Sequence, residues 1–139
     1  MEDTLLEEPF ETIPGISPGA SSNQPGMKLV WCVIRPESLE AVKEALNTLQ
    51  AVGGMTITDV RGFGRQRGQV EHYRGGEYQI RFLPKVRVEV AVRDEDLERV
   101  MAAISKAART GQVGDGKLFI LEVTSALRIR TGERGASAL

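Results

Sequence analysis

One cysteine, Cys32, excludes an internal disulfide. It lies in an apolar run and reads as a buried small hydrophobe, so a Cys–His dyad is not expected. His72 is the only histidine, and no Cys/His cluster has the spacing of a zinc site. No stretch approaches the ~18 apolar residues of a membrane span. The N-terminus lacks the basic flank and apolar core of a signal peptide and is too acidic for an organelle transit peptide. A cytoplasmic location is therefore expected. A large excess of one charge is also missing. The formal net charge is −1, which points to neither a nucleic-acid nor a membrane partner.

The distribution of charge says more than its total. Residues 1–26 carry Glu2, Asp3, Glu7, Glu8 and Glu11 without one Lys or Arg, which leaves +4 on residues 27–139. A mildly basic compact region suits an anionic ligand, and it equally suits a solvated basic surface. Pro9, Pro14, Pro18 and Pro25, with Gly and Ser between them, make residues 1–26 read as a flexible acidic extension. Residues 27–139 then form one domain, in a chain that is 41% apolar. A domain this small buries only roughly two-thirds of its unfolded surface, so oligomerisation would help it.

From Met27 the periodicity becomes clear. Leu29–Ile34 is a continuous apolar run, the pattern of a buried strand. Pro36 stands where a helix should begin, and Leu39, Val42, Leu46 and Leu49 follow at helical spacing. Gly53 and Gly54 are expected to stop that helix. Met55–Arg61 is β-rich. Val86, Val88, Val90 and Val92 alternate with Lys85, Arg87, Glu89 and Ala91, a strand exposed or interfacial on one side. Asp94 is the expected N-cap of a second helix with the face Leu97, Val100, Met101, Ile104 and Ala108. Gly111 is expected to end it. Leu118–Val123 reads as a further strand, and Ala126–Arg130 as a short one before a polar tail from about Thr131 to Leu139. Between the second and third strands, Gly62–Phe82 fits neither period, and loops of about twenty residues inside a small domain tend to be functional. The order β-α-β, long loop, β-α-β predicts an α+β, ferredoxin-like βαββαβ domain. Its helices cover one sheet face, and a closed symmetric oligomer would cover the other.

Four segments could carry chemistry. Gly111–Lys117 (GQVGDGK) nearly has P-loop spacing, but Leu118 replaces the magnesium-binding hydroxyl, and the loop joins a helix to a strand rather than the reverse. Clustered glycines still allow backbone N–H groups to converge on phosphate oxygens beside Lys117; a plain connecting turn is the alternative. Arg128 and Arg130, two apart in an expected strand, would face one side and reach one polyphosphate, or would be two solvated arginines. Gly62–Gly68 (GFGRQRG) lacks the dinucleotide fingerprint but sets flexible backbone beside Arg65, Gln66 and Arg67. Tyr73–Tyr78 (YRGGEY) joins aromatics and charges, as a partner-binding loop tip does. Trp31 reads as a core or interface residue. No catalytic set emerges: nothing pairs Asp115 or Glu89 as acid or base.

Taken together, these segments resemble the PII family of signal-transduction proteins. YRGGEY (73–78) is similar to that family's loop signature, and RTGQVGDGKLF (109–119) to its C-terminal signature. GFGRQ (62–66), FLPK (82–85) and RIRTGE (128–133) match as well, so the likeness runs from Met27 to about Gly135. The resemblance implies a homotrimer with a T-loop at about residues 63–82 and nucleotide sites in clefts between subunits, where ATP and ADP compete. It implies phosphates against Gly114, Asp115, Gly116 and Lys117, with Arg128 and Arg130 reaching in from the neighbour. Thr56, Gly62, Gly64, Arg65 and Glu89 would complete the nucleotide pocket. Gln66 would ligate Mg2+ held by ATP, and Gln66, Arg67 and Lys85 would receive 2-oxoglutarate. Tyr78 matches a tyrosine that some relatives uridylylate, whereas Gly76 stands where others carry a phosphorylated serine, and Arg67 where lysine is common. Implied targets are an ammonium channel, an amino-acid biosynthetic kinase, a transcription coactivator or a modifying enzyme, with no nucleic acid and no direct membrane insertion. The expected function is regulation of nitrogen and carbon/nitrogen metabolism, not catalysis. A small ATP-hydrolysing enzyme, or a divergent sensor of another effector such as an adenine-nucleotide messenger or bicarbonate, are the competing readings.

Overall fold

A computed structural model describes residues 26–64, 70–73, 77–80 and 82–139 of the chain. The acidic extension before Gly26, together with Arg65, Gln66, Arg67, Gly68, Gly75 and Gly76, lies outside the described residues. The elements are β1 (Met27–Ile34), α1 (Leu39–Leu49), β2 (Thr56–Gly62), β3 (Val70–Tyr73), β4 (Glu77–Ile80), β5 (Leu83–Arg93), α2 (Leu97–Ala108) and β6 (Gly116–Val123). Four of the strands form one antiparallel sheet in the order β2-β5-β1-β6. Each βαβ unit therefore straddles a strand of the other, the interleaving of the ferredoxin-like fold.

Side-chain alternation along the central strands decides which face is covered. Val30, Cys32 and Ile34 of β1 point with Val86, Val88, Val90 and Val92 of β5 toward the helices. Val42 and Leu46 of α1, and Val100, Ile104 and Ala108 of α2, close over them. Full burial of one such aliphatic side chain is worth roughly 1.5–3 kcal/mol, so this layer dominates the favourable energy of the fold. Cys32 is among these fully buried residues, and burial pushes its thiol up to about 11, as its reading as an inert hydrophobe required.

Several local expectations change. Pro36 opens a short 3-10 turn, Pro36–Ser38, and α1 follows it at Leu39. α1 ends on Gln50, which adopts the left-handed conformation (φ 54°) and donates to the Asn47 carbonyl; Gly53 and Gly54 come later and do not stop the helix. Asp94 is not the cap of α2. It opens a 3-10 turn, Asp94–Asp96, and its carboxylate takes a 2.6 Å hydrogen bond from Lys28 instead. α2 ends at Ala108, before Gly111. The long segment is not featureless, because β3 and β4 pair as an antiparallel ladder from Val70↔Ile80 to Tyr73↔Glu77. Tyr78 lies on β4 opposite His72. Ala126–Arg130 is not a strand. A single bridge joins Leu127 to Arg134, and Gly132 N–H donates to the Arg128 carbonyl at 2.7 Å, closing a turn over Arg128–Ile129–Arg130.

Candidate functional site

The connection from α2 to β6 is built by three left-handed glycines and one carboxylate. Gly111, Gly114 and Gly116 have φ of 88°, 105° and 111°, values that other residues adopt only with strain. Gly116 is further restricted because a Cβ there would stand 1.8 Å from the Val33 carbonyl oxygen of β1. The loop thus passes directly against the end of a central strand. Asp115 then ties it together. Its carboxylate accepts from the Thr110 hydroxyl, from Thr110 N–H at 2.7 Å and from Gly111 N–H at 2.8 Å. Arg35 Nε approaches it at 3.3 Å. The Thr110 hydroxyl above all, then the two backbone donors and Arg35, holds this carboxyl far below the ordinary carboxylate range, against the opposing effect of burial. Asp115 is therefore a fixed anion that organises the loop and cannot shuttle protons near neutrality.

Two cations hold the loop from the sheet side. Arg35 donates to the Val113 carbonyl at 2.8 Å, and Lys85 Nζ donates to the Gly114 carbonyl at 2.8 Å. Burial, followed by the nearby Arg35 charge, lowers the Lys85 pKa. In front of the loop opens a cleft of about 470 Å3. Its walls bring together Gly62, Gly64, Lys85 and the whole run from Gln112 to Lys117, with Phe63, Leu83 and Phe119 as apolar surface. Segments that are far apart in sequence thus supply glycine backbone and positive charge to one concavity, the combination that suits a phosphorylated ligand. The β6 residue that follows the loop, Leu118, packs against the core, so the P-loop's metal-binding hydroxyl has no counterpart.

The sequence model of the family described as nitrogen regulatory protein P-II matches residues 27–133. The chain belongs to the PII family. It is 51% identical over 113 residues to nitrogen regulatory protein GlnK of Escherichia coli K12, covering 81% of this chain and 100% of that relative. It is 49% identical over 113 residues to nitrogen regulatory protein P-II of Rhodospirillum rubrum, with the same coverage of both chains. Among solved structures, Arabidopsis thaliana PII bound to citrate is similar with a TM-score of 0.68 and 36% identity, over 83% of this chain and 94% of that one. The relatives are named as regulatory proteins, and the expected membership of the PII family is met.

Not every residue that the PII likeness singled out lies in the cleft. Gly62, Gly64, Lys85, Gly114, Asp115, Gly116 and Lys117 line it. Thr56 and Glu89 are paired with each other across β2 and β5 and do not line it. Glu89 Oε1 is 2.9 Å from Arg87 Nε, an ion pair without hydrogen-bond alignment, and the Arg87 guanidinium lies 5.7 Å from the Trp31 ring centre. Arg128 does not line the cleft either. Glu133 holds it at 2.8 Å, and the Leu139 carbonyl at 3.0 Å. Arg130 is exposed in the same turn. The expectation that both arginines share one side of a strand is corrected, because the Gly132 N–H to Arg128 carbonyl bond folds that segment into a turn. Arg65, Gln66 and Arg67 lie outside the described residues, and of Tyr78 only the strand position is described. Among the described residues no group of three or more His, Cys, Asp or Glu could hold a metal, and no helix is long and apolar enough to cross a membrane.

Sequence reasoning missed Arg35 and Thr110. Arg35 looks like an ordinary basic residue between a strand and a proline, and its partners lie 78 and 80 positions away. Only the sequence neighbourhood of Thr110, immediately before a glycine-rich loop that contains Asp-Gly, hinted at a side chain–backbone turn.

Proposed function

We propose that this PII-family chain binds ATP and ADP competitively in the glycine-rich cleft, senses 2-oxoglutarate through Mg-ATP, and controls partner proteins through the loop at residues 63–82. The observation that carries this reading is the convergence of Gly62, Gly64, Lys85 and Gly114–Lys117 on one cleft. The phosphates lie against the Gly114–Lys117 backbone and the Lys117 ammonium. Arg128 and Arg130 come to them from a neighbouring copy, which accords with their distance from their own chain's cleft. Thr56, Glu89 and Arg65 complete the pocket on the base and ribose side.

A trimer also answers the sheet face that the described helices leave open. Phe119 and Leu121 are 50% and 45% exposed there, beside the half-buried Trp31. A closed ring of copies would bury that surface. One acidic extension, residues 1–26, and one PII-type domain, residues 27–139, make up each copy. The protein is cytoplasmic and regulatory, with no catalytic residues, and it meets neither nucleic acid nor the membrane interior. Its targets are of the kind expected from sequence: an ammonium channel, an amino-acid biosynthetic kinase, a transcription coactivator or a modifying enzyme, the last acting on Tyr78.

Magnesium fits this site only with help from the ligands. A hard cation prefers oxygen donors, and the described residues supply no cluster of them, so phosphate oxygens, the keto acid and the Gln66 amide must provide the set. Bound there, the metal would supply the positive charge that lets two anionic ligands share the site. Lys85 receives a 2-oxoglutarate carboxylate, with Arg67 beside it. Because Gln66 begins the long loop, ligation couples effector binding to loop position. Calorimetric titration of 2-oxoglutarate with magnesium, repeated with ATP, with ADP and without nucleotide, tests the reading. Binding only in the presence of ATP is expected. Equal binding in all three conditions, or none in any, would sink it.

A further inference from the structure

We infer that Arg35 is a positioning residue that sets the phosphate-facing shape of the Gly111–Lys117 loop, acting as a clasp with Asp115. The inference rests on the proposal that this loop receives phosphates. Arg35 immediately follows β1 and precedes Pro36, and its backbone is extended (ψ 142°) while its carbonyl accepts from Ser38 N–H at 3.0 Å. The backbone there starts the turn into α1, and the side chain runs the other way, to the loop behind α2. One guanidinium thus makes two contacts on that loop, Nε to the Asp115 carboxylate at 3.3 Å and a terminal nitrogen to the Val113 carbonyl at 2.8 Å. Arg35 and Asp115 are only 16% and 21% exposed, so this ion pair is sheltered from the solvent that weakens surface pairs.

The consequence follows from peptide geometry. No peptide bond here is cis, so the N–H and C=O of one unit point in opposite directions. By holding the Val113 carbonyl, Arg35 fixes where Gly114 N–H points. By holding the Gly114 carbonyl at 2.8 Å, Lys85 fixes Asp115 N–H in the same way. Glycines with open φ would otherwise let these units rotate. The Asp115 carboxylate contributes from the far side by accepting Thr110 and Gly111 N–H, which places the start of the loop. A free carboxylate in a phosphate cleft would repel its ligand; here the negative charge is answered by Arg35 and the Thr110 donors. Asp115 is therefore better described as the anchor of the loop than as a group that touches phosphate.

The test uses the full chain as wild type, Arg35→Ala, Arg35→Lys and Thr110→Val. The last loosens Asp115 from the other side and leaves Arg35 intact, in case Arg35→Ala does not fold. Amide hydrogen exchange over residues 110–117 reads the clasp directly, and titration with Mg-ATP and with adenosine reads its use. Loss of a hydrogen-bonded charged partner should accelerate exchange in this loop and weaken ATP about tenfold. Adenosine, which has no phosphate, should be affected much less, and Arg35→Lys should recover part of the ATP loss. A general structural defect would weaken both ligands together and so overturn the inference. Unchanged loop exchange in folded Arg35→Ala or Thr110→Val would also overturn it. Failure of the wild type to bind ATP would instead remove the nucleotide reading, while the exchange data would still decide whether the clasp exists.

Discussion

The two faces of the sheet are built from the same strands but reach different ends. On the helix side Val30, Cys32 and Val88 are 0% exposed and sealed by α1 and α2. On the other side Trp31 meets Phe119 edge-to-face at 5.6 Å, with the Arg87 guanidinium 5.7 Å from the Trp31 ring centre. β1 is apolar on both faces, as strands covered on both sides are. β5 is apolar on one face only, with Lys85, Arg87, Glu89 and Ala91 on the other. The open face is thus a mixed surface of aromatic and charged groups, suited to association between copies rather than to a dry core.

The largest break in this comparison should come from the sealed face. Ile104→Ala opens a cavity under α2 and should lower stability by about 2–5 kcal/mol, read by denaturant unfolding at fixed protein concentration. On the open face the same kind of insult should act on assembly. Phe119→Asp should leave the circular dichroism spectrum unchanged and convert a trimer to monomers in sedimentation. A trimer that survives this change would place the interface elsewhere.

Smaller effects concern single ionisable groups. The Asp115 carboxyl is depressed in the folded chain, so its stabilising contribution is complete above the ordinary carboxylate pKa of about 3.9. It is lost only as pH falls through the lower folded value. The stability gap between wild type and Asp115→Asn should therefore be constant from pH 7 to about 5 and narrow below about 4. Chemical unfolding across that range measures it. The Cys32 thiol, raised to about 11, behaves in the opposite sense. Its contribution is complete below the unfolded thiol value of about 8.5 and fades as pH rises toward the folded one. Iodoacetamide at pH near 8.5 should accordingly modify the denatured chain rapidly and the native chain very slowly. Fast modification of the native protein would mean that the sealed face opens.

Much of the fold was legible because periodicity is a local property. The alternation from Val86 to Val92 and the helical spacing of Val42 with Leu46, or Val100 with Ile104, need no distant partner to be recognised. Capping was misread where a charge had a competing partner: Asp94 looks like a cap in sequence, but Lys28, 66 positions away, takes its carboxylate. The β3–β4 ladder was missed because each of its strands, Val70–Tyr73 and Glu77–Ile80, is only four residues long, and of the two only Glu77–Ile80 alternates, too short a run for periodicity to stand out. Arg128 and Arg130 were recognised as a pair, yet the turn closed by Gly132 rather than a strand holds them.

By itself the sequence determined the sheet-and-helix order, the covered face and the glycines that bring backbone to the cleft, because each is written in spacing or in a residue type that tolerates positive φ. Only the tertiary structure decided what the charged residues do. Arg35 clasps Asp115 across 80 positions, Lys85 holds the Gly114 carbonyl across 29, and Glu89 faces Arg87 rather than the cleft. A charged side chain is long and carries no periodicity, so its partner is chosen by the strand register and loop path that bring it within hydrogen-bonding distance.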